Sequence, residues 1–214
     1  MLQKSNRAKK KPKSLLYYER KLRNQGFDFV IGVDEAGRGP LAGPVVAAAA
    51  WLKNLEFRNK IDDSKKLSVL AREKAYFEII EKSIFGIGII DEKVIDRINI
   101  LEATRLAMQE AVGALIKKIN NLVNKRVFIL VDGNMGLETG WPTLSIIKGD
   151  GKSKSIASAS ILAKVTRDRI MFEYDKIYPA YNFKKHKGYP TKEHRDIIKK
   201  IGTSSIHRKS FSCV

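Results

Sequence analysis

The chain has 214 residues, of which 43% are hydrophobic, and its 41 Lys and Arg against 23 Asp and Glu give a formal net charge of +18. This length supports one sizeable hydrophobic core and is too short for two large ones. A positive field of this strength attracts polyanions, so the composition favours a nucleic acid as partner, with a basic protein of merely solvated faces as the alternative.

Cysteine content and hydropathy predict a cytoplasmic protein without a membrane anchor. Cys213 is the only cysteine, so neither an intrachain disulfide nor a cysteine-based metal site can form. The basic residues 1–13 lack an apolar core, which argues against a secretory signal there. No apolar stretch approaches the roughly 20 residues that a membrane helix requires.

The first predicted elements are a helix and two strands. The basic tail over residues 1–13 is expected to be flexible, and the helix after it is capped by Ser14 and stopped at Gly26. Apolar runs at 27–34 and 44–52, separated by a glycine turn, predict neighbouring strands. The alanine run within the second could equally open a helix.

The middle of the chain predicts two helices, each with a strand after it. Ser68 caps the first helix, and residues 83–90 are β-branched and glycine-spaced like a strand that Asp91 closes. Apolar periodicity predicts a long amphipathic helix over residues 101–123, followed by a fully apolar strand over 126–132. A helix followed by such a strand implies a parallel crossover onto the sheet.

The last predicted elements are a short strand over residues 143–147, a long helix over 155–178, and a helix that Thr191 caps and Gly202 ends. Antiparallel strands first and a helical crossover later predict an α/β fold with a mixed five-stranded sheet flanked by helices and a C-terminal helical extension.

We expect one compact domain over residues 14–202, between the basic tail and a C-terminal tail at 203–214. The two tails would add only non-specific, salt-sensitive affinity for DNA.

Acids follow three of the predicted strands. Asp34 and Glu35 stand side by side where the first strand ends, Asp132 ends the apolar strand, and Asp150 follows the last strand. Two adjacent carboxylates repel by about 4 kcal/mol at an effective dielectric near 20, so they need a proton, a cationic side chain or a metal between them. If the strands are parallel neighbours, their terminal acids meet at one edge.

Oxygen ligands without His or Cys suit Mg²⁺ or Mn²⁺, and two such ions can clamp the attacking and leaving oxygens of a phosphoryl displacement. Taken alone, Asp132 or Asp150 beside a glycine is better explained as a turn former. Their joint position after successive strands favours a metal site.

Glycine-rich turns raise two further interpretations. In the run from Gly37 to Gly43, the third glycine comes one residue late for a dinucleotide fingerprint and Pro40 interrupts the helix start. A phosphate-binding P-loop ending at Ser153 fails because Ile146 replaces its first glycine. A nucleotide-dependent enzyme and a non-catalytic nucleic-acid-binding protein stay open as alternatives. Thermal protection by NAD or ATP would favour the enzyme, and binding without cleavage in Mn²⁺ would favour the binding protein.

Several motifs occur together between residues 27 and 201. They are GVDEAGRGPLAGPVV at 32–46, DSKKL at 63–67, VDGN at 131–134, KGD at 148–150, SIASASILAKVTRD at 155–168 and HKGYPT at 186–191. In this order they resemble type 2 ribonuclease H, also called ribonuclease HII.

The resemblance implies a ribonuclease H-like fold and an endonuclease that cuts the RNA strand of RNA/DNA hybrids. It also implies cleavage on the 5′ side of a lone ribonucleotide in duplex DNA, leaving 3′-hydroxyl and 5′-phosphate ends, in support of DNA replication and repair. Four acids would hold two Mn²⁺ or Mg²⁺ ions, namely Asp34, Glu35, Asp132 and Asp150, the same four that follow the predicted strands.

By the same resemblance, Gly37, Arg38 and Gly39 would read the ribose 2′-hydroxyl through backbone groups, because glycine lets the chain approach a sugar closely. Tyr189 would pack on the sugar next to the scissile phosphate. The candidates for phosphate contacts are Lys65, Lys164 and His186, the last equally well explained as a surface histidine.

One acid is excluded from the site. Asp168 lies within the predicted helix between Arg167 and Arg169, where an i, i+4 or local ion pair is the better explanation. We expect a monomer; the sequence leaves open the preferred metal and whether a sliding clamp is bound.

Overall fold

A computed structural model describes residues 14–64 and 66–211. The basic tail, Lys65 and Cys213 lie outside the described residues. The described strands are β1 (Phe29–Ala36), β2 (Val45–Leu52), β3 (Ser83–Ile90), β4 (Val127–Asp132) and β5 (Thr143–Ile146). The described helices are α1 (Tyr17–Asn24), α2 (Val69–Lys82), α3 (Glu92–Ile116), α4 (Lys154–Ile177), α5 (Phe183–His186) and α6 (Lys192–Ile201), with 3₁₀ turns at Gly149–Gly151 and Pro179–Tyr181.

The five strands form one mixed sheet in the order β3-β2-β1-β4-β5. The pairs β1–β2 and β2–β3 are antiparallel, whereas β1–β4 and β4–β5 are parallel. The prediction of a mixed five-stranded sheet flanked by helices is therefore confirmed. In the register of the central parallel pair, Val33 lies opposite Val131, so Asp34 and Asp132 follow at the same edge.

Helices cover both faces of the sheet, and β2 shows how. Its alanines are buried and alternate between two cores: Ala47 and Ala49 pack with α3, whereas Ala48 and Ala50 pack with α2 and α4. Small side chains on both faces let helices approach closely from either side, and the strand has helices instead of water as neighbours. The alanine run thus forms a strand and does not begin a helix.

The predicted helix over residues 101–123 is wrong at both ends. The helix α3 begins at Glu92, because Asp91 caps it by accepting a hydrogen bond from the N–H of Val94 at 2.8 Å, and it ends at Ile116. It is interrupted at Asn99, whose φ of 66° lies in the left-handed region. The side chain of Asn99 recaps the second half, a local signal that apolar periodicity does not carry.

Other helix starts agree with the sequence. Ser68 accepts from the N–H of Ala71 at the start of α2, and Thr191 accepts from the N–H of His194 at the start of α6. The helix α1 differs: it begins at Tyr17 and has no side-chain cap. No helix within residues 14–64 and 66–211 is long and apolar enough to span a membrane.

Glycines set the spacing between the sheet and its helices. A Cβ atom built on Gly86 of β3 would lie 2.1 Å from the carbonyl oxygen of Ala111 in α3, and one built on Gly32 of β1 would lie 2.1 Å from the carbonyl carbon of Ser155 in α4. No side chain fits at either contact without moving a helix backbone.

We predict that Gly86→Ala lowers the free energy of unfolding by about 1–3 kcal/mol, the usual cost of overpacking. The matched control is Gly113→Ala in α3, where a Cβ atom has no neighbour within 4 Å. Because alanine is the better helix former, the control should raise stability by about 0.5–1 kcal/mol. Urea unfolding midpoints measure both; equal stability of the two variants would contradict the packing argument.

Candidate active site

Four carboxylates converge at the carboxyl edge of the parallel strands. Asp34 and Glu35 lie near the end of β1, Asp132 is the last residue of β4, and Asp150 lies in the 3₁₀ turn after β5. All four line one cavity of about 270 Å³. The parallel pairing of β1 with β4 and of β4 with β5 brings together acids that are more than one hundred residues apart in the case of Asp34 and Asp150.

Asp34 is the buried member, with 5% of its surface exposed. Burial raises the pKa of its carboxyl well above the usual value, and the charges of Glu35 and Asp132 raise it further. Hydrogen bonds from Ser160 and from the N–H of Glu35, the latter at 2.7 Å, only partly offset this. The hydrogen bonds of the protein therefore do not fully stabilise a negative charge on Asp34.

The other acids are partly anchored. Burial also raises the pKa of Glu35, although Arg38 opposes the shift with a guanidinium nitrogen 3.5 Å from the carboxylate. Asp132 accepts from the N–H of Gly149 at 2.5 Å, which ties the 3₁₀ turn to the end of β4. Asp150 accepts from the N–H of Gly151 at 2.8 Å.

The donor set fits a hard divalent cation. Carboxylate oxygens are the ligands that Mg²⁺ and Mn²⁺ prefer, and a cation among them would relieve the repulsion that raises the pKa of Asp34. Within the described part of the chain, no three His, Cys, Asp or Glu side chains already form a compact ligand group. The acids thus share a cavity, while their side chains make local hydrogen bonds.

The glycine turn after β1 borders the same cavity. Gly37 is buried with a φ of +100°, and a Cβ atom there would lie 2.1 Å from the Nε atom of Arg167. Gly39 is exposed, and a Cβ atom there would have no neighbour within 4 Å. The first glycine is therefore required by the fold, whereas the space beside the second is open.

Two fully buried arginines hold this turn. Arg167 donates to the carbonyl oxygens of Pro44, Ala42 and Lys187 at 2.9–3.0 Å. Arg208 donates to the carbonyl oxygens of three other residues, Gly37, Arg38 and Gly43.

Sequence reasoning missed both arginines, because their acceptors are backbone carbonyls that only the tertiary fold supplies. Residues 203–211, which we assigned to a tail, reach the site through Arg208.

Lys164 and Tyr189 also line the cavity. The ammonium of Lys164 lies 2.6 Å from a carboxylate oxygen of Asp168 and 5.7 Å from the ring centre of Tyr189. Burial lowers the pKa of Lys164, and Asp168 counteracts that shift. Asp168 makes the i, i+4 ion pair that we expected of it and contacts Arg72 at 3.6 Å as well.

His186 does not lie where a phosphate could reach it, which contradicts that part of the sequence prediction. It is 6% exposed, its Nε2 atom donates to the carbonyl oxygen of Tyr181 at 2.8 Å, and its Nδ1 atom accepts from the N–H of Gly188 at 3.2 Å. With both ring nitrogens engaged, the side chain has none left for a substrate.

The three histidines of the chain form one buried cluster. The ring of His186 stacks on that of His194 with centres 4.1 Å apart, and the Nε2 atoms of His194 and His207 are 3.1 Å apart. The Nδ1 atom of His194 in turn donates to the carbonyl oxygen of Tyr189 at 2.9 Å. The cluster therefore supports the loop that carries Tyr189 into the cavity.

The sequence is similar to one family of known proteins. A family model described as Ribonuclease HII matches residues 31–214. A Ribonuclease HII of Caldanaerobacter subterraneus subsp. tengcongensis is 50% identical over 204 residues, which are 94% of this chain and 81% of that relative.

Solved structures are similar in fold. Ribonuclease HII of Archaeoglobus fulgidus, solved in complex with PCNA, is 24% identical with a TM-score of 0.71 and covers 86% of this chain and 95% of its own. Ribonuclease H2 of Pyrococcus horikoshii is 29% identical with a TM-score of 0.67 and covers 86% of this chain and 94% of its own. The fold is therefore ribonuclease H-like.

We predict that Asp34→Asn stabilises the metal-free protein at neutral pH. A carboxyl with a raised pKa in the folded state stabilises the fold below its unfolded pKa and loses that contribution as pH rises through the folded pKa. Asparagine carries no charge and avoids this loss, so the variant should melt at a higher temperature than the wild type at neutral pH.

Thermal melts in EDTA at pH 7.5 and at pH 4 test this expectation. The gain should be present at pH 7.5 and shrink at pH 4, where Asp34 itself is protonated. A variant that melts below the wild type at pH 7.5 would contradict the assignment of Asp34 as an uncompensated buried carboxyl.

Proposed function

The chain belongs to the ribonuclease HII family, and from this premise we propose that it cuts the RNA strand of RNA/DNA hybrids and single ribonucleotides in duplex DNA. Cleavage of the latter would fall on the 5′ side of the ribonucleotide and leave 3′-hydroxyl and 5′-phosphate ends. The observation that carries the proposal is that four carboxylates, Gly37 and Arg38 of the glycine turn, and Tyr189 line one cavity.

The metal site we propose consists of Asp34, Glu35, Asp132 and Asp150, with Mn²⁺ or Mg²⁺ as cofactor. Two such ions, when bound, would activate the attacking water and stabilise the leaving 3′ oxygen. The buried Asp34 would attract a cation, because burial and the charges of Glu35 and Asp132 disfavour its negative charge without one.

The remaining residues of the cavity position the substrate. Gly37 and Arg38 line the cavity beside the acids, and Gly39 follows them in the turn, so a ribose bound against this backbone would have its neighbouring phosphate close to the carboxylates. Tyr189 is 37% exposed and offers its ring to the sugar next to the scissile phosphate. Lys164 would contact a phosphate, and Asp168 holds its ammonium in place.

The partner we propose is an RNA/DNA hybrid or a ribonucleotide-containing DNA duplex, bound by a monomer in the cytoplasm. The net charge of +18 supports such a partner through contacts with the phosphate backbone. Phosphate contacts place the duplex without reading the sugar, whereas the 2′-hydroxyl distinguishes RNA from DNA. The positive charge would thus bind the duplex, and the glycine turn would recognise the ribose.

We predict that Asp34→Asn and Asp132→Asn each abolish cleavage of a duplex with one embedded ribonucleotide, with losses of about 1000-fold or more if chemistry depends on the acids. The matched control is Asp196→Asn, the same substitution at an exposed position of α6. Rates in Mg²⁺ and in Mn²⁺, with melting curves to verify folding, provide the measurement. Full activity of either site variant would disprove the assigned roles.

We predict that Gly39→Ala reduces cleavage at a single ribonucleotide at least tenfold, because a methyl group would occupy the space through which the sugar approaches, an effect of about 1.4 kcal/mol or more. Stability should change little, since nothing in the protein lies within 4 Å of the added Cβ atom. Rates and melting temperatures measured together would separate the two effects, and unchanged cleavage would argue against ribose contact at this turn.

A further inference from the structure

The C-terminal segment reaches the glycine turn through one side chain. Arg208 is completely buried. Its Nη2 atom donates to the carbonyl oxygen of Gly37 at 2.6 Å, its Nη1 atom donates to that of Arg38 at 3.0 Å, and its Nε atom donates to that of Gly43 at 3.0 Å. One guanidinium thus fixes two successive peptide groups at the tip of the turn and a third at its far end.

The direction of each peptide carbonyl also sets the direction of an N–H group. In a trans peptide the C=O and the following N–H lie in one plane and point in opposite directions. The carbonyls of Gly37 and Arg38 point inward to Arg208, so the N–H groups of Arg38 and Gly39 point outward. Both residues are exposed, and among residues 14–64 and 66–211 neither N–H donates to another protein group.

We propose that Arg208 is a positioning residue for ribose recognition, which aims the N–H groups of Arg38 and Gly39 at the substrate sugar. This inference rests on the proposed function and deepens it, because it names what holds the ribose-reading turn in its working conformation. Arg208 does not touch the substrate itself.

An arginine suits this task for physical reasons. Glycine gives the turn a large conformational freedom that must be lost before two N–H groups can act together. The guanidinium is planar and carries five donors in a fixed arrangement, so it can hold several carbonyls at set angles, which the single ammonium of a lysine cannot do. Burial, followed by the charge of Arg167, lowers the pKa of Arg208 to about 9, so it stays protonated at neutral pH.

The backbone around Arg208 is itself held in place. The N–H of Arg208 donates to the carbonyl oxygen of Leu41 at 2.8 Å, and the N–H of Gly43 donates to that of Ile206 at 2.9 Å. Farther along, Asp96 of α3 accepts from the N–H groups of Lys209 and Ser210, both at 2.9 Å. These hydrogen bonds hold the backbone of Arg208 in place, so its side chain can orient the turn.

Arg167 offers a matched comparison. It is equally buried and also donates to three carbonyls, but these belong to Ala42, Pro44 and Lys187, outside the peptides that present the two N–H groups. If the buried arginines were purely structural, replacing either one should have the same effect on stability and on ribose preference. A positioning role predicts a larger loss of ribose preference for Arg208, which binds the carbonyls of Gly37 and Arg38 directly.

The experiment compares Arg208→Lys with Arg167→Lys in the full chain. The substrate is a DNA duplex with one ribonucleotide, and the same duplex without it serves as competitive inhibitor. The ratio of the inhibition constant of the all-DNA duplex to the KM of the ribonucleotide duplex then measures ribose preference, while melting temperatures report stability.

For Arg208→Lys we expect the ratio to fall about tenfold, as for the loss of one well-placed hydrogen bond, with the inhibition constant of the all-DNA duplex unchanged. Arg167→Lys, whose carbonyl partners Ala42, Pro44 and Lys187 lie outside the two N–H-presenting peptides, should lower the ratio clearly less at a similar loss of melting temperature. An unchanged ratio in Arg208→Lys, or an equal fall in both variants, would overturn the proposal. A wild type that cuts neither duplex would instead refute the proposed function.

If Arg208→Lys does not fold, Asp96→Ala tests the same point without altering the buried arginine. It removes the acceptor for Lys209 and Ser210 and loosens the segment that holds Arg208. The ratio should then fall by a smaller factor, about threefold, for the partial loss of one hydrogen bond. A ratio equal to that of the wild type in a folded Asp96→Ala protein would contradict the inference.

Discussion

Repulsion between carboxylates at one edge of the sheet is the constraint around which this structure is built. The parallel pairing of β1 with β4 forces Asp34 and Asp132 to the same end, and the chain adds Glu35 beside the first of them. The cost falls mainly on Asp34, whose pKa is raised by burial and by both neighbours. A cation bound at this one place would offset that cost.

Close packing around the four acids restricts the movement of the strands that carry them. Alanines in β2 and glycines in β1 and β3 let helices pack directly on the sheet, so the strand ends that carry acids lie on a rigid support. The glycine turn beside them would be the weakest part, yet two buried arginines bind its carbonyls. The packed core thus supports the strand ends that carry the acids. The two buried arginines support the glycine turn, whose backbone has few other constraints.

The sequence predicted what depends on local patterns. Alternation and apolar runs identified all five strands, Ser68 and Thr191 marked helix starts, and the acids after successive strands pointed to one edge of the sheet. Two kinds of feature were beyond such patterns. The start of α3 depended on how Asp91 was interpreted, since an acid after a strand can equally cap a helix. The environments of His186 and Arg208 arise from contacts between distant segments, and nothing in the neighbouring residues distinguishes a buried basic side chain from an exposed one.

The histidine cluster has a consequence for how the molecule responds to acidity. All three imidazoles of the chain are buried together, and burial lowers the pKa of each, to about 4 for His194 and His207. Burial therefore shifts the side chain that most often changes charge near neutrality toward its neutral form in this protein. Its positive field, and with it the electrostatic attraction for a phosphate backbone, receives no contribution from His194 or His207 between about pH 6 and 8. Binding that begins with this attraction therefore does not depend on the protonation of these two histidines over that range of pH.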